Sequence, residues 1–521
     1  MPKIVLPAAQ WENLIAMMRA TCPEIFDDSG NVLNCFAGQW QNSGQPRPIL
    51  SPIDGSLLGN LPMLSGAEAT TAVQTAQQEF TGWSALSLSA RKEKVAAAIE
   101  TLKAHRDLMA YLLTWEIGKP VRQARVSADR CISGVEWYLQ EIDQMLVDRA
   151  PLGVVSNIAS WNYPLSVLIH AMLVQALCGN SVVAKVPTDG GLYTLSFAVA
   201  LCRKHGIPFT LVSGSGGELS QALIQSPEVA ALNYVGGKSH SRSIAESLME
   251  TPKRYMLEME GLNTYGIWNF SNWPALAAQM KKGYEYGKQR CTAYVRWVVQ
   301  RELFPQFLET YLSVVKSLQI GHPLLVEEGA SEAPDLDFGP VINAKKASEL
   351  NALIQDAFMK GAIPVYRGVQ NPDMFLPEQD KSAYLLPVCL LAVPKSAQLY
   401  HNEPFGPVDT IVLVDSEAEL ITEMNVSNGN LVSSIATDDV RWAETIVEDL
   451  RAFKIGINKV RSRGDREEIF GGFGNSWRGC FVGGEYLVRA LTKGQADEVL
   501  FGNFRYGLNV PEAGDMLVQV G

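Results

Sequence analysis

The stretch Gly153–Lys185 reads GVVSNIASWNYPLSVLIHAMLVQALCGNSVVAK, and its internal punctuation decides the fold. Gly153 to Ser160 reads as a strand, Leu165 to Cys178 as a buried helix closed by Gly179-Asn180, and Ser181 to Lys185 as a second strand. Ala150 to Ala184 carries no Lys, Arg, Asp or Glu, which invites a membrane reading. Gly153, Pro164 and Gly179 cut it up, however, and Leu165 to Cys178 is shorter than the roughly 20 residues that a bilayer crossing needs. The alternation then continues. Gly191 to His205 reads as a helix, Phe209 to Ser213 as a strand, Glu218 to Gln225 as a short helix, Val229 to Val235 as a strand, Ser239 to Met249 as a helix and Arg254 to Met259 as a strand. Strands alternating with helical patterns imply βαβ units, and this number of them implies an α/β fold with a doubly wound, nucleotide-binding type of parallel sheet.

Working outward, Arg91 to Leu113 and Gln123 to Leu146 read as amphipathic helices, and Cys35 to Leu61 as short strands around the turn Pro52-Ile53-Asp54-Gly55. Downstream, helical patterns at Phe304 to Leu318, Lys345 to Lys360 and Ser416 to Met424 are separated by strands such as Tyr294 to Gln300 and Thr410 to Val414, which predicts a second α/β domain. Gly321 to Asp337 is acidic and turn-rich and reads as a surface loop. The whole chain of 521 residues is 47% hydrophobic and 19% charged, an ordinary globular composition with ample material for a large core. A net charge of -11 provides no global cationic field for nucleic acid or anionic lipid, so neither is expected as a partner. Eight scattered cysteines without a CxxC pair argue against a zinc ribbon or a disulfide scaffold, and the six separated histidines form no metal-ligand pattern. With no secretion signal in Met1 to Ala20, a reducing, cytoplasmic setting is expected.

Three places invite chemistry. Gly214-Ser215-Gly216-Gly217 follows a strand and opens a helix, where backbone N–H groups could meet a pyrophosphate, although Leu219 stands where GxGxxG needs its last glycine. Gly236-Gly237 follows the strand ending at Val235 and gives a second close approach. Cys291 sits in Gly287-Lys288-Gln289-Arg290-Cys291-Thr292-Ala293, where two neighbouring cations predict a thiol more acidic than free cysteine. Glu258, between Leu257 and Met259 in an apolar strand, needs a partner, so a structural ion pair stands beside a general base as its reading.

Taken together these residues resemble the NAD(P)-dependent aldehyde dehydrogenase superfamily over nearly the whole chain. The motifs in order are Pro151-Leu152-Gly153-Val154-Val155, Ser160-Trp161-Asn162-Tyr163-Pro164, Gly179-Asn180-Ser181-Val182-Val183-Ala184-Lys185, Leu257-Glu258-Met259-Glu260-Gly261, Gln289-Arg290-Cys291-Thr292-Ala293 and Asn402-Glu403-Pro404-Phe405-Gly406-Pro407-Val408. The resemblance implies an N-terminal extension (1–35), a Rossmann-type cofactor-binding domain (36–262, with 130–150 contributing to oligomerisation), a catalytic domain (263–455) and a return to the cofactor domain with a small oligomerisation element (456–521). It also implies roles. Cys291 attacks an aldehyde to give a thiohemiacetal, Asn162 and the Cys291 N–H form the oxyanion hole, hydride passes to the nicotinamide, and Glu258 activates water on the resulting thioester. Lys185 holds the adenosine ribose and Glu403 the nicotinamide ribose, with Phe405, Trp161, Gly214, Gly236 and Gly237 lining the cofactor. Thr188 stands where many NAD-preferring relatives carry Glu, which favours NADP over NAD, with Asp189 as a counterweight.

Three positions depart from the family pattern: Glu260, Lys288 and Ser241 each replace a glycine and add bulk near cofactor or thiol, unless Lys288 pairs with Glu260 or Glu258. The short connection from Leu146 to Pro151 leaves little room for an oligomerising hairpin, so a homodimer or a monomer is expected rather than a tetramer. For the aldehyde substrate, Arg290 with Lys459, Arg461 and Arg463 forms a cationic cluster suited to an anionic aldehyde, whereas Trp161, Tyr163, Trp477 and Phe481 would suit an apolar one. Two alternatives accompany the hydrolytic dehydrogenase: a CoA-acylating aldehyde dehydrogenase, against which Glu258 argues, and a cofactor-binding scaffold whose altered glycines impair turnover.

Overall fold

The computed structural model describes residues 2–41, 44–249, 251–427, 429–463 and 466–504. Two sheets organise it. The first has nine strands in the order Gly502–Asn503, Trp477–Cys480, Arg254–Glu258, Val229–Val235, Val154–Ile158, Ser181–Lys185, Phe209–Val212, Asn34–Phe36 and Gln39–Gln41. Its five central strands are parallel, in the register Val154↔Ser181, Val182↔Phe209, Tyr234↔Ile158 and Val235↔Glu258. Ser181–Lys185 is buried along its whole length, as a strand covered by helices on both faces must be. Chain order reverses between Val154–Ile158 and Val229–Val235, which creates the crevice at the carboxyl ends of the strands where such sheets bind ligands.

The second sheet has seven strands, in the order Ile363–Arg367, Val388–Leu391, Val408–Val414, Arg296–Gln300, Thr264–Ile267, Asn430–Ala436 and Ala452–Ile457. All pairs are parallel except at the edge strand Ile363–Arg367. After Ala452–Ile457 the chain returns to the first sheet, where Trp477–Cys480 pairs antiparallel with Arg254–Glu258 and sets Trp477 opposite Glu258. No helix among the described residues is long and apolar enough to cross a membrane.

Local chemistry explains where the elements differ from the sequence pattern. The single helix expected over Arg91 to Leu113 is two, Leu88–Ala104 and Arg106–Ile117, broken at His105. Arg106 makes a bidentate pair with Asp129 at 2.6 Å for each bond, which turns the second helix onto Val121–Met145. The helix expected from Leu165 begins one residue earlier as a π-helical segment, Pro164–Ile169, before His170–Leu177 continues as α-helix. Such wide turns concentrate at functional sites, and this one begins two residues after Asn162. Glu218 to Gln225 also divides, into Gly216–Ser220 and a π turn at Gln221–Gln225. The loop expected over Gly321 to Asp337 holds a short strand, Leu325–Glu327, paired with Lys3–Val5, because buried Leu325 and Val326 fasten it to the N-terminal segment.

Candidate active site

Three strand ends of the first sheet converge on one cleft of about 890 Å³. Val154–Ile158 delivers Ser160, Trp161 and Asn162; Val229–Val235 delivers Gly236 and Gly237; Arg254–Glu258 delivers Glu258. The opposite wall carries Cys291, just before the strand Arg296–Gln300, together with Glu403 and Phe405, just before Val408–Val414.

The Cys291 loop is held by its backbone. Tyr286, Gly287 and Lys288 all have φ of +59°, a left-handed run that is costly for Tyr and Lys and persists because their side chains are anchored. Tyr286 Oη donates to Ile117 O at 3.0 Å. Lys288 Nζ donates to Asp409 Oδ1 at 2.5 Å and to Tyr294 O at 2.8 Å, in a pocket where both charged side chains are buried. Its partner is therefore Asp409 rather than Glu260 or Glu258, and the side chain points away from the cleft. Arg290 lines the cleft, its Nη2 donating to Gly283 O at 2.8 Å. Asn263, which the sequence motifs do not single out, clamps the loop from below: its Nδ2 donates to Cys291 O at 2.7 Å and to Ala293 O at 3.0 Å, while its Oδ1 accepts from Val432 N at 3.1 Å.

These orientations overturn the expectation of an acidified thiol. Burial, followed by the charge of Glu258, pushes the Cys291 thiol well above its ordinary value, and the cation that opposes this is Arg463 rather than Lys288 or Arg290. Glu258 itself is buried, and Arg463 Nη1 donates to its Oε2 at 2.6 Å. Its Oε1 is buried with no hydrogen-bond partner among the described residues. The ion-pair reading of this carboxylate thus describes one oxygen, and the other is unengaged. Asn162 completes the group. Ser160 Oγ donates to its Oδ1 at 2.5 Å and its Nδ2 donates to Gln289 O at 3.0 Å, which fixes the amide with its N–H side toward the cysteine loop.

On the cofactor side, both Glu403 oxygens are buried without a hydrogen-bond partner among the described residues, and burial with the nearby Glu260 charge pushes its carboxyl well above the usual range. Two unengaged acceptors in a cleft suit a pair of ribose hydroxyls. Phe405, held at φ +51°, meets Trp161 edge to face at 5.7 Å. Glu260 reaches the N-terminus of the helix Lys238–Leu248, where its Oε1 accepts from Lys238 N at 3.2 Å and its Oε2 lies 3.8 Å from Lys238 Nζ. Its bulk therefore falls at that helix end and not on the thiol. Ser241 is inside the same helix, its hydroxyl donating to Lys238 O at 2.9 Å. Lys185 ends the strand Ser181–Lys185, Thr188 follows it and Gly214 follows Phe209–Val212, and none of the three lines the cleft. Lys185 Nζ donates to Val186 O at 3.0 Å and to Thr188 Oγ1 at 3.4 Å, and burial brings its pKa down to about 8. Arg47, which the sequence motifs also pass over, donates to Thr188 O at 3.1 Å and to Asp189 Oδ1 at 3.2 Å.

The residues named for the substrate divide. Tyr163, Arg290 and Arg461 line the cleft. The Tyr163 ring lies under Lys119 Nζ at 3.9 Å, and that ammonium also donates to Asn162 O at 2.7 Å. Arg461 pairs with Glu468. Lys459 and Trp477 do not line the cleft. Lys459 contributes its carbonyl, which accepts from Ser434 Oγ at 2.7 Å, and Trp477 is a buried core residue whose Nε1 donates to Cys480 O at 3.0 Å.

Comparison with known proteins agrees with this geometry. The model of the aldehyde dehydrogenase family matches residues 40–496. The chain is 26% identical to glutarate-semialdehyde dehydrogenase of Pseudomonas aeruginosa over 441 residues, 81% of this chain and 88% of that protein. It is 25% identical to the non-phosphorylating aspartate-semialdehyde dehydrogenase of Halomonas elongata, over 82% of this chain and 87% of that one. Among solved structures it resembles NADP-dependent glyceraldehyde-3-phosphate dehydrogenase from Bacillus halodurans, complexed with NADP, with a TM-score of 0.80 and 26% identity over 89% of this chain and 98% of that one. The converging strand ends, the cysteine loop and the family match over most of its length make the chain a member of the aldehyde dehydrogenase family, an NAD(P)-dependent enzyme that oxidises aldehydes to acids.

Proposed function

We propose that Cys291, Asn162 and Glu258 carry the reaction and that water is the acyl acceptor. The observation that carries this is their meeting in one cleft: a half-buried thiol, an amide whose orientation is fixed by Ser160, and a carboxylate with one unengaged oxygen beside that thiol. Glu258 takes the Cys291 thiol proton, which then leaves to solvent, as Sγ adds to the aldehyde carbon, and the alkoxide is held by Asn162 Nδ2–H and the Cys291 backbone N–H. NAD(P), when bound, would supply the acceptor for the hydride. Glu258 then takes a proton from water as it attacks the Cys291 thioester and passes that proton to the departing sulfur, giving a carboxylic acid and returning the thiol. Lys288 is turned away into the Asp409 pocket, which supports turnover rather than a scaffold.

Glu403 would hold the nicotinamide ribose and Lys185 the adenosine ribose, with Gly236 and Gly237 giving the backbone approach. NADP is favoured, because Thr188 carries no repelling charge and Asp189 is engaged by Arg47, whose guanidinium would stand near a 2′-phosphate. The semialdehyde dehydrogenases among the relatives act on aldehydes that bear a carboxylate, which supports an acidic aldehyde as substrate. Eight free cysteines support a reducing, cytoplasmic setting. The test is reduction of NADP and NAD with neutral and acidic aldehydes: Cys291→Ala is expected to lower turnover by at least about a thousandfold. Unchanged turnover would remove Cys291 from the reaction.

A further inference from the structure

One carboxylate of the cleft stands at a place suited to a phosphate. Gly237 opens the helix Lys238–Leu248 and has no side chain to cap it, so the cap comes from another strand end: Glu260 Oε1 accepts from Lys238 N at 3.2 Å, and Oε2 lies 3.8 Å from Lys238 Nζ. The carboxylate packs against the backbone there, since a Cβ on Gly237 would stand 3.2 Å from Glu260 Oε1. Glu260 is 32% exposed and lines the cleft with Gly236 and Gly237, so a ligand entering the cleft reaches it. A helix start that presents backbone N–H groups to a cleft, with the helix dipole behind them, is a seat for phosphate, and here the chain fills it with an anion of its own. The two unengaged oxygens of buried Glu403 mark the same cleft independently as a place where a ligand brings donors. Lys346 lines it too, and its ammonium has no hydrogen-bond or ion-pair partner among the described residues. Burial lowers the pKa of that ammonium, and the charges of Glu349, Glu403 and Glu260 oppose the shift.

We propose that Glu260 is a displaceable plug of the cofactor site: it holds the phosphate seat at the start of Lys238–Leu248, and a cofactor phosphate takes that seat only by moving Glu260 onto Lys346. The inference rests on the reading of Gly236 and Gly237 as the backbone approach to the cofactor. Two anions do not share this seat, because Lys238 N has a single hydrogen to donate and a phosphate within its reach meets the Glu260 carboxylate as a like charge. The exchange strands no charge. Lys238 passes from one anion to another, and Glu260 passes from the ammonium of Lys238 to that of Lys346, whose charge it already feels. Apparent affinity is the intrinsic affinity multiplied by the fraction of molecules in which the seat is open, so the plug weakens binding without altering any contact that the cofactor itself makes. A cap that served only the helix would have another signature, since its removal would leave cofactor binding unchanged or weaker.

The experiment is equilibrium binding of NADP by calorimetry, without aldehyde, to the full-length parent protein and to Glu260→Ala, Glu260→Gln, Lys346→Gln and the double variant Glu260→Ala/Lys346→Gln. Glu260→Ala is expected to lower Kd by about ten- to fiftyfold, and Glu260→Gln, which keeps the shape and loses the charge, by a smaller factor. Unchanged or weaker binding in both overturns the proposal. Lys346→Gln should raise Kd several-fold in the parent but leave it within about twofold in the Glu260→Ala background, because Lys346 acts only by receiving Glu260. An equal loss in both backgrounds would make Lys346 a direct contact of the cofactor and overturn the exchange. If Glu260→Ala fails to fold, Glu260→Gln decides with a second probe: NADP should bind it more tightly than the parent, while adenosine 2′-monophosphate, which has no pyrophosphate, should bind both alike. Equal tightening of the two probes overturns the proposal. Gly237→Val in the Glu260→Ala background separates this failure from failure of the underlying reading. If that variant binds NADP as well as Glu260→Ala does, the reading of Gly236 and Gly237 fails; if it loses NADP while Glu260→Ala binds like the parent, only the role of Glu260 fails.

Discussion

Two cation–carboxylate contacts flank the active-site loop, and they differ in what surrounds them. Lys288 and Asp409 are 1% and 0% exposed, and every charged end has further partners: Lys288 also donates to Tyr294 O, and Asp409 Oδ2 accepts from Tyr284 Oη at 2.5 Å and Tyr311 Oη at 2.8 Å. Arg463 and Glu258 are joined at a similar distance, 2.6 Å, but the arginine opens on the cleft and one Glu258 oxygen is unengaged. A closed, saturated pair fixes a backbone; an open, unsaturated one keeps an acceptor free. The same kind of contact therefore serves architecture on one side of Cys291 and chemistry on the other.

The largest effect is expected from the open pair. Glu258→Gln keeps the shape of the side chain and removes the base, so kcat should fall by up to about 10⁴-fold while the melting temperature barely moves. A large loss of stability with little loss of kcat would place Glu258 with the architecture instead. The closed pair should behave in the opposite sense. Lys288→Met leaves the Asp409 charge buried without its cation, and stability should fall by about 3–5 kcal/mol in denaturant unfolding, much of it recovered by adding Asp409→Leu. Failure of the double variant to recover would break the comparison.

The thiol sharpens it further. The charged form is the thiolate, and burial and the Glu258 charge both oppose it, so the midpoint of iodoacetamide alkylation against pH should lie above the roughly 8.5 of free cysteine. Glu258→Gln removes the charge and should move that midpoint down. A midpoint at or below the free-thiol value in the parent protein would mean that Lys288 or Arg290 does reach the sulfur.

The smallest effect belongs to a third pair, Arg47–Asp189, whose side chains are 41% and 43% exposed. Arg47→Ala should change stability by under about 1 kcal/mol, as exposed pairs do, yet raise KM for NADP several-fold with little change for NAD. Equal changes for both cofactors would separate Arg47 from the 2′-phosphate.

Much of this was legible in the sequence wherever the information is local. Ser181–Lys185 and Val229–Val235 are contiguous β-branched and apolar runs bounded by turn residues, and their limits match the pattern. Cys291, Glu258 and Asn162 were each legible in short motifs, and the fold brings them to one cleft. What adjacency in the chain misrepresented is direction. Lys288 stands within three residues of Cys291 but points into Asp409, because the left-handed run from Tyr286 to Lys288 rotates it away, while Arg290 spends its Nη2 on Gly283 O. Arg463, 205 positions from Glu258, reaches it only because the chain returns to the first sheet after Ala452–Ile457. Arg47 and Asn263 act through backbone carbonyls, and no motif of charged or nucleophilic residues marks them.

The central claim is that the reaction passes through an acyl group on Cys291 whose release depends on Glu258. The direct measurement is rapid mixing of Glu258→Gln, loaded with NADP, with 4-oxobutanoate, followed by intact mass and peptide mapping. The account predicts a burst of one reduced nicotinamide per active site, and an acyl adduct on Cys291 that persists. Undiminished steady turnover with no adduct, or an adduct on another residue, would contradict it.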